Sequence, residues 1–158
     1  MFRKMRRFKQ QLSPEETAAV LKAAKRGVLS VLGDEGYPYG MPMDFYYDEA
    51  EQKIYYHGAV EGHKQDALQA CDKASFCVWD EGRPDEDGWS WHFRSVIVFG
   101  RVRQLTPEED LHRIAGLLGA KYSPDPDFAE IELRKSGSRV RFLVLEIEHM
   151  TGKAVHEN

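Results

Sequence analysis

The chain has 158 residues, 42% hydrophobic and 30% charged, the composition of one globular domain with a single core. A net charge of −4 and a pI near 5.9 argue against a general nucleic-acid binder, which carries a basic field. No stretch reaches the ~18 apolar residues of a membrane helix, and the two cysteines, Cys71 and Cys77, form neither a C-x-x-C pair nor a disulfide scaffold, so the expected compartment is a reducing cytoplasm.

The chain opens on the basic run "FRKMRRFK", read as part of a solvated N-terminal arm over residues 1–12. No long apolar run follows it, so it does not read as a signal peptide. Ser13-Pro14-Glu15-Glu16 then writes a helix start, with an N-cap hydroxyl, Pro at the first helical position and Glu at the third. The helix is expected to reach about Arg26, with Val20, Leu21 and Ala24 on one face and Gly27 ending it. "GVLSVLG" over 27–33 reads as a short apolar strand before the turn "DEGYP". Residues 39–48 read as extended, with Pro42 marking an edge or a bulge, and 53–58 returns as the second arm of a hairpin. A short helix without a capping box is expected over 62–70.

Residues 74–80, "ASFCVWD", form the next predicted strand, with Cys77 as a small buried hydrophobe. Residues 92–105 form a long one, bent at Gly100. Thr106-Pro107-Glu108-Glu109 repeats the helix start, and Leu111, Ile114, Ala115 and Leu118 give the apolar stripe of a helix ending near Ala120. The stretch "YSPDPDFAEIELRKSGS" reads as a loop with at most one helical turn, and 138–152 closes the chain as an alternating strand. Six strands, largely hairpin-connected and bent by Pro42 and Gly100, with helices at the margins, predict a mainly β, six-stranded antiparallel barrel of Greek-key-like connectivity, one domain over residues 1–158.

Three stretches carry chemistry. In "YYHGAVEGHKQDALQA" a helix opens on His63 and Lys64. A helix N-terminus offers unpaired N–H groups and about half a positive charge, which suits phosphate, and a lysine there runs against the dipole unless an anion joins it. Gly58 and Gly62 would admit a ligand close to the backbone. The alternative is a surface lysine beside a turn histidine, and from spacing alone that alternative weighs at least as much. In "WHFRSVIVFG", Arg94 offers a planar fork and Ser95 a hydroxyl, or else a plain exposed strand start. In "YGMPMDF", Pro42 removes a donor between Met41 and Met43 ahead of Asp44, which frees neighbouring backbone groups for a planar polar ring or simply blocks an edge. Trp79, Trp89 and Trp91 make the middle of the chain aromatic, as core, as subunit interface or as the border of a flat ligand. His57 and His63 lack zinc spacing and no metal site is predicted; no G-x-S-x-G, GxGxxG or P-loop is present.

"MRR" at 5–7, "GVLSVLGDEGYPYGMPM" at 27–43, "IYYHGAVEGHKQDAL" at 54–68, "SFCV" at 75–78, "FRSVIVFGRVR" at 93–103 and "EIEHMTGK" at 146–153 together resemble the FMN-binding split β-barrel family, which includes the pyridoxamine 5′-phosphate oxidase-like proteins. The resemblance is nearest to the branch of 5-nitroimidazole-resistance flavoproteins. It implies a homodimer with two FMN sites in grooves between subunits. His63 and Lys64 would hold the phosphate with Arg94 and Ser95, and the backbone from Met41 through Pro42 and Met43 to Asp44 would run along the ring. His57 and Gly58 would lie near the ribityl chain, with Trp79 or Trp91 reaching toward the flavin. It further implies a small-molecule substrate, NAD(P)H as donor, and a nitroaromatic or quinone-like acceptor.

Two departures stand out. Asp44 replaces a small or amide residue of many relatives and would disfavour an anionic reduced flavin, and "DEGRPDEDGWSW" is strongly acidic. No acid or base is evident; His57 is the weak candidate for a proton donor. A flavin or haem binder that only stores or senses, and an oxidase of pyridoxamine phosphate vitamers, stay open beside the oxidoreductase reading.

Overall fold

In the computed structural model, residues 1–86, 88–106, 109–136 and 140–156 are described. Helix α1 (Pro14–Ala23) starts as the sequence dictates. The Ser13 hydroxyl accepts from the Glu16 N–H at 3.1 Å, and the Glu16 carboxylate accepts from the Ser13 N–H at 2.8 Å. It ends earlier than expected, with its C-cap at Ala24. Gly27 lies inside strand β1 (Arg26–Leu32), where a Cβ would stand 2.4 Å from the Phe76 ring. Gly27 therefore serves close packing and does not end the helix.

The remaining elements are β2 (Pro38–Asp44), β3 (Tyr46–Asp48), β4 (Lys53–Ala59), α2 (His63–Ala70), β5 (Lys73–Trp79), β6 (Arg83–Pro84), β7 (Trp91–Gln104), α3 (Leu111–Tyr122), α4 (Phe128–Ser136) and β8 (Val140–His156). The expected six strands become eight, because the 39–48 strand breaks at Phe45 and a two-residue strand forms over 83–84. All strands join one antiparallel sheet in the order β2-β1-β5-β7-β8-β4-β3, with β6 paired to β7. Its two edges, β2 and β3, are consecutive in the chain and joined through Phe45 alone, so the sheet curls into a half-barrel. Pro42 sits on an edge strand, in register with Val28. Gly100 marks a register shift between β7 and β8, and a Cβ there would lie 2.1 Å from the Glu146 carbonyl oxygen.

Inside the curl, Phe45, Tyr56 and Phe76 are fully buried, with the Phe76 ring meeting the other two edge-on at 4.8 and 5.3 Å. Leu21 of α1 and Leu29, Val78 and Val96 complete this core. A second, smaller core forms where α3 lays Ile114, Ala115 and Leu118 over Tyr55, Phe142 and Val144 on the other face of β4 and β8. The N-terminal arm is only partly solvated. Leu12 is buried and donates its N–H to the Gly152 carbonyl, and Phe2 stacks on His149 at 4.7 Å.

The second helix start also differs. Residues 107 and 108 lie outside the described residues. Glu109 accepts from the Thr106 N–H at 2.7 Å but is also taken up by the Arg103 guanidinium, and α3 begins instead behind Asp110, which accepts from the Arg113 N–H. The stretch expected as a loop contains α4, a helix of nine residues. Among the described residues, no helix is long and apolar enough to cross a membrane.

Candidate functional site

Gly62 has φ of +117°, a conformation that favours glycine, and it is the N-cap of α2. No side chain caps this helix; the Gln65 N–H donates to the Gly62 carbonyl at 2.8 Å, which leaves the His63 and Lys64 N–H groups at the helix start, and a Cβ at Gly62 would meet nothing within 4 Å. Gln65, which is buried, donates to the Ala59 carbonyl at 2.8 Å and ties the β4–α2 loop back on itself. Lys64 turns toward the sheet. Its Nζ is 3.9 Å from Met43 Sδ and stands where a side chain at Gly58 would project, 2.3 Å from a Cβ built there. Burial pulls the Lys64 ammonium pKa down.

His63 points elsewhere, its ring stacked on Tyr39 at 4.2 Å and its Nε2 accepting from the Asp34 N–H at 3.4 Å. An Asp34 carboxylate oxygen lies 3.6 Å from the same nitrogen, and these contacts anchor α2 to the β1–β2 turn. Beside it runs β2, with Met41 and Met43 turned inward, Pro42 outward, and Asp44 gripped by the Arg26 guanidinium at 2.8 Å. His57 lies on the opposite face of β4, in register with Phe142 and exposed. His57 and His63 therefore do not face one another as a pair of ligands, and among the described residues no group of three metal-ligating side chains occurs.

Met41, Pro42, Met43, Asp44, Gly58, His63 and Lys64 thus form one group around β2, β4 and the start of α2, with His57 across β4 from Gly58 and Lys64. Trp79, Trp91, Arg94 and Ser95 form a second group. Trp79 and Trp91 are exposed and border a shallow recess with Phe93, Asp80 and Glu81. Arg94 is clasped by Asp80, which accepts from its Nε at 2.7 Å and from its N–H at 2.8 Å. Burial raises the Asp80 carboxyl pKa, but these bonds from Arg94 outweigh it and hold the carboxyl below its usual range.

Along β8 the two groups are far apart, with Gly58 opposite Arg141 and Arg94 opposite Ala154. Through β1 they approach, since Arg26, which holds Asp44, lines one recess with Trp79, Asp80 and Arg94. On that route, Ser95 pairs with Trp79 on β5, and β1 lies between β5 and β2.

Several residues of this site carried too weak a sequence signal to be named. Asp34 and Tyr39 hold His63, Asp80 holds Arg94, and Arg26 holds Asp44. Tyr122 of α3 is another. Its hydroxyl accepts from the Phe45 N–H at 2.7 Å and lies 3.0 Å from the Phe45 carbonyl, fixing the corner between β2 and β3. Only the tyrosine side chains around "YPYGM" could have hinted at His63's partner; the others are contacts between distant positions.

The profile of the pyridoxamine 5′-phosphate oxidase family matches residues 13–154. A comparison with curated proteins returns no match. Among solved structures, the chain is similar to a candidate 5-nitroimidazole antibiotic resistance protein from Bacteroides thetaiotaomicron, at 19% identity and a TM-score of 0.76 over 92% of this chain and 87% of that one. It is similar to an FAD-binding protein from Mesorhizobium loti, at 22% identity and 0.64 over 92% and 96%. It is also similar to an FAD and haem binding protein from Mycobacterium smegmatis, at 20% identity and 0.73 over 94% and 74%. At these identities the likeness is one of fold.

Proposed function

The chain belongs to the pyridoxamine 5′-phosphate oxidase family, and on that premise we propose that it is an FMN-dependent oxidoreductase acting as a homodimer. When bound, FMN supplies two-electron redox chemistry, here between NAD(P)H and a small acceptor such as a nitroaromatic or a quinone. The supporting observation is the Lys64 ammonium, half-buried at an uncapped helix N-terminus, set over Gly58 and against Met43. A cation placed there is unfavourable alone and favourable beside a phosphate.

The residues fit the group. The His63 and Lys64 backbone N–H groups and the Lys64 amine would hold the phosphate. Gly58 keeps the backbone low beneath them. The edge strand from Met41 to Asp44 offers backbone groups that no neighbouring strand takes, and Pro42 withholds a donor among them. In the proposed dimer the second group, with Trp79, Trp91, Arg94 and Ser95, completes the groove from the other copy. His63 positions α2 through Tyr39 and Asp34.

The test is FMN titration of a Lys64→Ala, Arg94→Ala double variant. Each contact is charge-assisted and worth ~1.5–3 kcal/mol, so affinity is expected to fall by about a hundredfold or more. Wild-type affinity in the double variant would overturn the assignment.

A further inference from the structure

Between α3, α4 and the outer face of β4 and β8 lies a cavity of about 400 Å³, within the size range of small-molecule sites. Its walls are apolar. Leu118 of α3, Phe128 and Leu133 of α4 and Phe142 of β8 present two rings and two branched chains to it. Its polar groups are Asp44, His57 and Glu132, together with the Tyr122 hydroxyl, which is already engaged by the Phe45 backbone. Ionised carboxylates accept hydrogen bonds and cannot donate them, and a histidine can also accept. The polar end of the cavity is therefore rich in acceptors. The Asp44 oxygen bonded to Arg26 leaves that carboxylate oriented rather than free to swing, and Glu132 pairs with the exposed Lys135, a pair worth little.

We propose that this cavity is the recognition site for a small aromatic molecule that carries a hydrogen-bond donor, an amine or a ring N–H, and that excludes carboxylates and phosphates. This rests on the flavin reading in one respect. Asp44 and His57 belong both to the cavity and to the strand segments assigned to the flavin, so an occupant would lie beside the cofactor as its substrate. The phosphorylated vitamers for which the family is named are then the wrong chemistry for it, because the cavity's walls are apolar and its own polar side chains present acceptors, which a phosphate cannot use.

The experiment is calorimetric titration of the full-length protein, FMN-loaded and FMN-free, with benzylamine and with benzoate as matched probes. Benzylamine is expected to bind at least tenfold more tightly than benzoate in both forms. Leu133→Trp, which fills the cavity from a half-buried position, is expected to abolish benzylamine binding while FMN retention persists. Glu132→Gln, a conservative change at the partly exposed rim, is expected to narrow the gap between the two probes and serves if the tryptophan variant does not fold. Equal binding of the two probes, or undiminished benzylamine binding in a folded Leu133→Trp variant, would overturn the proposal. A protein that binds benzylamine in this cavity but takes up no FMN would uphold the cavity assignment and refute the flavin reading.

Discussion

Lys64 and Lys121 both carry a charge where solvent is scarce, and they differ in what compensates it. Lys64 has an uncapped helix start before it and an anion to gain there. The Lys121 ammonium lies 3.6 Å from the centre of the Phe45 ring, without a hydrogen-bond partner among the described residues, and burial pulls its pKa down to about 8 despite the nearby Asp44 charge. Below pH 8 both folded and unfolded states hold this proton. Between about 8 and the ordinary value of 10.5, the unfolded state holds it and the folded state releases it. Stability therefore rises with pH across that window. Chemical denaturation at pH 7.5 and 9.5 is expected to show a gain in the wild type that is smaller in Lys121→Met. An identical gain in both proteins would show that this amine is not the titrating group.

At the scale of elements, the β2–β3 corner is held by a helix far away in sequence. The Tyr122 hydroxyl bonds the Phe45 backbone, and Phe45 is fully buried. Removing that hydroxyl leaves a buried N–H unsatisfied, at a cost of ~1–3 kcal/mol. Tyr122→Phe is thus expected to lower the urea midpoint with an unchanged m-value, and an unshifted midpoint would mean that the corner holds itself. This bond also shows where sequence reading stops. The Ser13 capping box, the edge position of Pro42 and the bulge at Gly100 were legible because each depends on residues close in the chain or on one residue's covalent geometry. The same reasoning failed at Thr106, since Arg103, three residues upstream, competes for the Glu109 carboxylate and Asp110 caps the helix instead. Helix α4 follows "SPDPD", whose prolines and aspartates favour turns and hide the helix that comes after them. In the structure Asp125 accepts from the Asp127 N–H, and the helix follows directly. Within the site, the Lys64–Gly58–Met43 group could be suspected from "HGAVEGHK". Its placement relative to Arg94 could not, because that depends on strand order.

The whole molecule leaves an apolar outer face on β7. Ile97 and Phe99 are exposed there, and Phe2 stacks near Phe99 at 5.6 Å. We propose that a second copy covers this face, the occupant that the proposed two-part groove requires. Ile97→Asp is expected to yield monomers by sedimentation velocity and to lose FMN with the dimer. A monomer that keeps FMN would place the whole groove in one chain. The central claim is that the start of α2 grips the phosphate of a flavin, and the most direct measurement is the absorbance spectrum of the purified protein together with the mass of the ligand it releases on denaturation. The account predicts flavin bands and a released compound of the mass of FMN, one per chain. A colourless protein that stays colourless when mixed with FMN, or a haem absorption band in place of the flavin bands, would contradict it.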